Sequence, residues 1–180
     1  MNPLWSYFWP AFGLGVIIGI PAGVIGFRLP RRSPEDAGLS RELRRKRIIA
    51  LVAGALLSIA ATTLWHGPFG AADRFSTRIE RALRSIMTYY EMPQVSAHLH
   101  HDPLTREVVF YGPADDFQRA ELARLITQLP GVRSAGWSSE GGGVPLIVEG
   151  LAVSLLGFLL GLLLAYVIEL RRRYNSQWNW

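Results

Sequence analysis

Three stretches of the chain are almost uninterrupted runs of apolar residues, and a fourth alternates apolar and polar positions with the periods of helix and strand. The first apolar run, about Trp5 to Phe27, holds no ionisable side chain. It is long enough to cross a bilayer as a helix, at about 1.5 Å per residue. The second runs from about Ile48 to Trp65 and the third from about Val144 to Leu170, with Glu149 and Glu169 near its two ends. These patterns predict three transmembrane α-helices. Between the second and third lies a mixed segment, residues 67–143. There Phe75, Ile79, Ala82, Leu83, Ile86 and Tyr90 recur at helical spacing over 71–92 until Pro93. Val95, Ala97 and Leu99 then alternate with Ser96, His98 and His100, which predicts a strand. A turn at His101 to Leu104 and a strand from Glu107 to Tyr111 complete a hairpin, which Gly112-Pro113 ends. Asp115 with Gln118 three residues on predicts a capping box. The helix that follows is expected to bury Phe117, Leu122, Leu125, Ile126 and Leu129, and Pro130-Gly131 stops it. Val132 to Trp137 is the last strand, and Ser138 to Gly143 reads as a flexible link. The fold class is therefore a membrane protein with three transmembrane helices and a small α+β domain of order α-β-β-α-β.

Charge gives these spans an orientation. The net charge is +5, but it is unevenly spread. Residues 28–47 carry eight basic and three acidic side chains, whereas 67–143 carry eight and nine. Arg28, Arg31, Arg32, Arg41, Arg44, Arg45, Lys46 and Arg47 lie between the first two spans, and Arg171, Arg172 and Arg173 follow the third. Positive flanks stay in the cytoplasm. The expected order is span one (1–27, N-terminus outside), a basic cytoplasmic loop (28–47), span two (48–66), a periplasmic domain with its linker (67–143), span three (144–170) and a cytoplasmic tail (171–180) in a bacterial inner membrane. A cleaved signal peptide fits residues 1–27 poorly, because no basic n-region or small-residue cleavage site is present. Trp5, Tyr7, Phe8, Trp9, Trp65, Tyr174, Trp178 and Trp180 cluster where interfacial aromatics belong. The basic excess sits beside the membrane and not on the folded domain, so lipid headgroups are the expected partners and nucleic acid is not.

The order of elements, together with Val108-Val109-Phe110-Tyr111-Gly112, the run Arg119 to Leu129 and Pro130-Gly131-Val132-Arg133-Ser134, resembles the BON domain, named for bacterial osmotic-shock and nodulation proteins. The resemblance covers about residues 74–137. It implies a small α/β sandwich, usually periplasmic and non-catalytic, that binds membranes, lipids or other proteins. Here the domain is a single copy set between transmembrane helices, where the family usually has two. A ferredoxin-like domain is the main structural rival.

Candidate chemistry is sparse. The chain has no cysteine, which excludes disulfides and thiolate metal sites. No acidic, basic or histidine side chain lies at mid-span, where ion and proton pathways need them. His66, at the outer end of span two, is a candidate axial ligand for a haem or pigment, or simply an interfacial polar residue. His98, His100 and His101 form the histidine cluster; on a strand His98 and His100 share a face, as two ligands of one metal ion would. Gly141-Gly142-Gly143 lacks a phosphate-loop context and reads as a hinge. No nucleophile elbow or other catalytic turn is present. Small residues recur every four positions in each span: Gly15, Gly19 and Gly23; Ala50, Gly54 and Ser58; Gly157 and Gly161. Such faces let helices approach closely. They serve either packing among the three spans or packing against other integral membrane subunits. The expectation is a non-catalytic accessory or structural subunit of a larger membrane complex, such as a respiratory or a photosynthetic reaction-centre and light-harvesting assembly. It would have no cofactor of its own but would contact lipids and a partner's pigments. The alternative is a free-standing envelope-stress or lipid-binding BON-domain protein.

Overall fold

The computed structural model describes residues 2–28, 37–137 and 143–176. Arg31, Arg32, the link at 138–142, Trp178 and Trp180 lie outside the described residues, as do the side chains of Arg28 and of residues 37–40. The elements are α1 (Pro3–Arg28), α2 (Ala37–His66), α3 (Ala71–Tyr89), β1 (Ser96–His101), β2 (Leu104–Tyr111), α4 (Asp116–Thr127), β3 (Ser134–Gly136) and α5 (Leu146–Ser176). Three helices, Pro3–Phe27, Arg41–His66 and Leu146–Asn175, are long and apolar enough to cross a membrane. The chain divides into two compact units. The first comprises Met1–Trp9 and Trp65–Gly150, the second Pro10–Leu64 and Leu151–Trp180.

The first unit is a three-stranded sheet of order β1-β2-β3 with α3 and α4. β1 and β2 pair antiparallel, with Ala97 opposite Phe110 and Leu99 opposite Val108, while β3 lies parallel to β2. Burial alternates along β1, so Ala97 and Leu99 enter the core and Ser96 and His98 do not. The core gathers Phe75, Ile79 and Leu83 of α3, Val108 and Phe110 of β2 and Ile126 of α4, each with at most 2% of its surface exposed. Each contributes about 1.5–3 kcal/mol by burial. α4 begins as its sequence predicts. Asp115 Oδ1 accepts from Gln118 N at 2.7 Å, and Gln118 Oε1 accepts from Asp115 N at 3.1 Å. α1 starts with Pro3, and Asn2 Oδ1 accepts from the Leu4 amide at 3.0 Å.

Two glycines close the sheet unit. Gly112 has φ +122° and Gly131 φ +109°. A Cβ on Gly112 would collide with the carbonyl of Gln94, and one on Gly131 would lie 2.8 Å from Ile79 Cδ1. Both positions exclude a side chain on backbone and packing grounds together.

The second unit packs its small residues against one another. A Cβ on Gly15 or Gly19 of α1 would run into the Ser154 and Phe158 carbonyls of α5. One on Gly157 of α5 would strike the Phe12 carbonyl, and one on Gly161 would sit 2.6 Å from Val16 O. Gly23 faces Ala165, and Gly54 of α2 faces Ala22 and Phe158. Ser58 and Ser154, both buried, share a hydrogen bond of 2.9 Å between α2 and α5. Ala50 remains half-exposed.

Several boundaries differ from the sequence reading. α2 begins at Ala37, so Arg41, Arg44, Arg45, Lys46 and Arg47 lie on a helix and not in a loop. These residues are good helix formers, and the i,i+4 pair Glu42–Lys46 at 2.7 Å adds support. α5 likewise continues through Arg171, Arg172 and Arg173. β2 starts three residues earlier than expected, at Leu104, and β3 shrinks to Ser134–Gly136. α3 ends at Tyr89, so Tyr90 leaves the helical phase and is 46% exposed, while Met87 takes the buried position. Phe117 is not buried: it is 79% exposed in the first turn of α4, whose inward face is carried by Leu122 and Ile126.

Candidate functional site

Polar side chains of the sheet unit gather in three places. The first lies at the start of α1 and the end of α2. Tyr7 is buried, and its hydroxyl lies 2.6 Å from His66 Nδ1 and 3.4 Å from the Leu146 carbonyl. Trp65 Nε1 donates to the Tyr7 carbonyl at 3.2 Å, and the Arg74 guanidinium stands over the Trp65 ring at 5.2 Å. Arg78 donates to Ser6 Oγ at 2.7 Å. The Tyr7 hydroxyl can donate to the Leu146 carbonyl or to His66 Nδ1, and which of Tyr7 and His66 donates across the 2.6 Å contact follows the imidazole tautomer. With the imidazole proton on Nε2, that nitrogen is a donor and not a ligand. Axial ligation by His66 would need its proton on Nδ1, aimed at Tyr7 Oη, with the tyrosine hydrogen turned to Leu146 O.

The second is a clamp at the start of α5. Arg106 of β2 donates through Nη1 to Glu149 Oε2 at 3.1 Å and through Nε to the Gly131 carbonyl at 3.0 Å. Arg133 stands 3.6 Å from Glu149 Oε1. Glu149 lies in the first turn of α5, where a carboxylate also faces the positive end of the helix dipole. Thr105 forms a bridge with Pro145 beside it. Among the described residues, Glu107 Oε2 and Trp137 Nε1 are the buried side-chain polar atoms without a hydrogen-bond partner. Trp137 instead packs on Phe110 and under the Arg119 guanidinium, each at 5.1 Å.

The third is a groove of about 530 Å³ between the second half of α3 and the free edge of β1. Met87, Met92, Val95 and Ala97 supply its apolar wall, and Glu80, Arg84, Glu91 and His98 its polar rim. The histidines do not converge there. The β1–β2 register shifts between Leu99 and His101, and the alternation of burial along β1 ends at His101. His101 Nε2 meets Glu80 Oε1 at 2.7 Å, and His100 Nδ1 lies 3.1 Å from the Pro103 carbonyl. Among the described residues no group of three or more His, Cys, Asp or Glu side chains is arranged to hold a metal ion.

In the helical unit, Arg47 Nε donates to the Gly26 carbonyl at 2.9 Å and Arg173 Nη2 to the Phe27 carbonyl at 3.0 Å, so two basic side chains cap the C-terminal carbonyls of α1. Arg172 and Arg173 both bond Glu169 at 3.0 Å. Arg44, Arg45 and Lys46 are exposed. From charge alone these arginines read as topology-setting and lipid-facing, and nothing in the sequence pattern connects Tyr7 to His66 or Arg106 to Glu149. Helical or strand periodicity carries no signal for partners that distant in the chain. No protein-family model, curated protein or solved structure matches this chain.

Proposed function

We propose that the chain is a non-catalytic accessory subunit of a larger membrane complex, with its three helices in a bacterial inner membrane and its sheet unit on the periplasmic side. The distribution of Arg and Lys supports that orientation, with the N-terminus outside and the C-terminus in the cytoplasm. The α-β-β-α-β order of the sheet unit supports reading it as a BON-like domain, and a binding role with it. The observation that carries the proposal is the groove beside the open edge of β1, a feature suited to holding another chain. The small-residue faces support a refinement. They are occupied within the bundle, so contact with other integral membrane subunits falls to bulky exposed side chains such as Ile17, Leu56, Leu57 and Leu163. Respiratory and photosynthetic assemblies are the host class this role suits, with lipids and a partner's pigments against those faces.

Affinity purification from mild detergent, followed by mass spectrometry, tests the proposal. Large membrane subunits should co-elute in fixed ratio. A lone protein carrying only lipid would overturn it in favour of a free-standing lipid-binding envelope protein.

A further inference from the structure

The β1 groove has a shape and charge pattern that specify an occupant. β1 has a neighbour on its β2 side alone, so its outer edge offers unpaired backbone N–H and C=O groups along Ser96 to Leu99. α3 runs antiparallel beside that edge. Glu80 touches His101 at one end, and Met92 is bonded to Val95 at the other. The groove therefore lies along the strand. Two of the chain's three methionines, Met87 and Met92, line it, and flexible thioethers adapt to varied apolar side chains. At the end of the sheet opposite the Thr105–Pro145 bridge, Tyr89 and Tyr111 are 80% and 57% exposed, the residue type that anchors protein interfaces.

The charges are the decisive feature. Arg84 and Glu91 both line the groove and are exposed. Neither side chain has a hydrogen bond or ion pair with any described residue. Arg84 lies five residues before α3 ends at Tyr89, about 7–8 Å of helix, and Glu91 lies two residues beyond that end. Glu91 also holds φ +53°, a left-handed conformation unusual for a glutamate, at the groove's end. Same-face residues four apart in an extended strand are about 13 Å apart, within reach of the long Arg84 and Glu91 side chains.

We propose that this groove docks an extended segment of a partner protein. The segment adds to β1 as a fourth strand, sets an apolar side chain among Met87, Met92 and Val95, and places an acidic residue against Arg84 and a basic one against Glu91. The pattern is acidic, any, apolar, any, basic, in either chain direction. This rests on the accessory-subunit function and names the chemistry of its partner contact.

The test uses the full chain in nanodiscs of zwitterionic lipid and a fluorescent heptapeptide of that pattern, read by anisotropy and by amide hydrogen exchange. The peptide should bind saturably and slow exchange at Ala97 to Leu99. A peptide N-methylated at alternate amides should lose binding. Arg84→Glu should weaken the acidic–basic peptide and favour one with basic residues at both positions, a reversal of roughly tenfold. Arg84→Gln, a milder change, should abolish the preference without reversing it. Absence of saturable binding up to about 1 mM, indifference to N-methylation or to Arg84→Glu, or protection of β1 by self-association without peptide would each overturn the proposal. If the wild-type chain still co-purifies with large subunits when these outcomes fail, the accessory role stands and the groove is not its contact.

Discussion

Replacing Gly131 by alanine tests how the sheet unit is closed. The substitution has two separable costs. The first is conformational: φ +109° lies in a region that L-residues rarely enter, at about 1–3 kcal/mol. The second is steric: the new Cβ would sit 2.8 Å from Ile79 Cδ1 and 3.5 Å from Phe75 Cζ, both side chains of the buried core. Overpacking costs about 1–3 kcal/mol, toward the low end here because Ile79 Cδ1 is the far end of a flexible chain. A total of about 2–4 kcal/mol follows, allowing for the smaller unfolded-state entropy of alanine. Gly70 is the control. It has φ +65°, but its Cβ would have nothing nearer than Asp73 Oδ2 at 3.9 Å, so Gly70→Ala should cost only about 1 kcal/mol. Gly112→Ala should cost most, since its Cβ meets the Gln94 backbone, which cannot move without shifting the approach to β1. The assay is hydrogen exchange at Val108 to Phe110 in the full chain in detergent micelles, where opening of the unit governs the rate. Gly70→Ala should speed exchange about fivefold and Gly131→Ala roughly thirty- to several-hundred-fold. Equal effects at the two sites would refute the steric argument. An unchanged rate in Gly131→Ala would refute the placement of Gly131 against the core.

Three further outcomes are expected. Glu149→Gln should destabilise the sheet unit by about 1–3 kcal/mol, because it leaves the largely buried Arg106 without its carboxylate; a double-mutant cycle with Arg106→Gln that shows no coupling would remove the clamp from the account. The Glu121 carboxyl is held below the usual carboxylate range by the hydrogen bond from Arg124. A lowered folded-state value means that its contribution is present above the ordinary glutamate pKa and fades as pH falls through the lowered value. NMR titration should place its midpoint below that of the Arg124→Ala variant, and coincident midpoints would deny the pair. The Ser58→Cys/Ser154→Cys variant should form an intrachain disulfide under mild oxidation, since the two hydroxyls are 2.9 Å apart and the native chain has no competing thiol; adding Gly54→Leu should suppress the crosslink by forcing α2 off Phe158.

Much of this architecture was legible because it is local. The span lengths come from runs without charge, and the start of α4 comes from Asp115 and Gln118, which satisfy each other's backbone within three residues. The hairpin comes from alternation around a turn. What failed was phase at element ends. Tyr90 kept helical spacing in the sequence, but α3 had already ended, so the spacing no longer described a face. Phe117 sits in the first turn of α4, before the face that meets the sheet. The histidine cluster was legible as composition but not as geometry. One irregularity between Leu99 and His101 was enough to send His101 to Glu80. The clamp of Arg106 on Glu149 joins residues 43 apart in the chain, and no periodicity predicts such a pair.

The small-residue faces raise a question of sufficiency that the geometry answers by itself. Membrane helices gain little from burying apolar surface against one another, because lipid tails are as apolar as leucine; close packing and interhelical hydrogen bonds must hold them. Gly15, Gly19, Gly157 and Gly161 bring the α1 and α5 backbones together, Gly54 admits α2 beside Ala22 and Phe158, and the Ser58–Ser154 bond adds a polar tie in the buried interior. With those residues committed, a bundle of three spans has the contacts it needs without a partner. Any selective contact with another membrane subunit must then use the bulky outward side chains, which discriminate lipid from protein poorly. Specific recognition is better placed in water, where unpaired charge and an open strand edge distinguish one chain from another. Among the described residues, Arg84, Glu91 and the edge of β1 offer that combination.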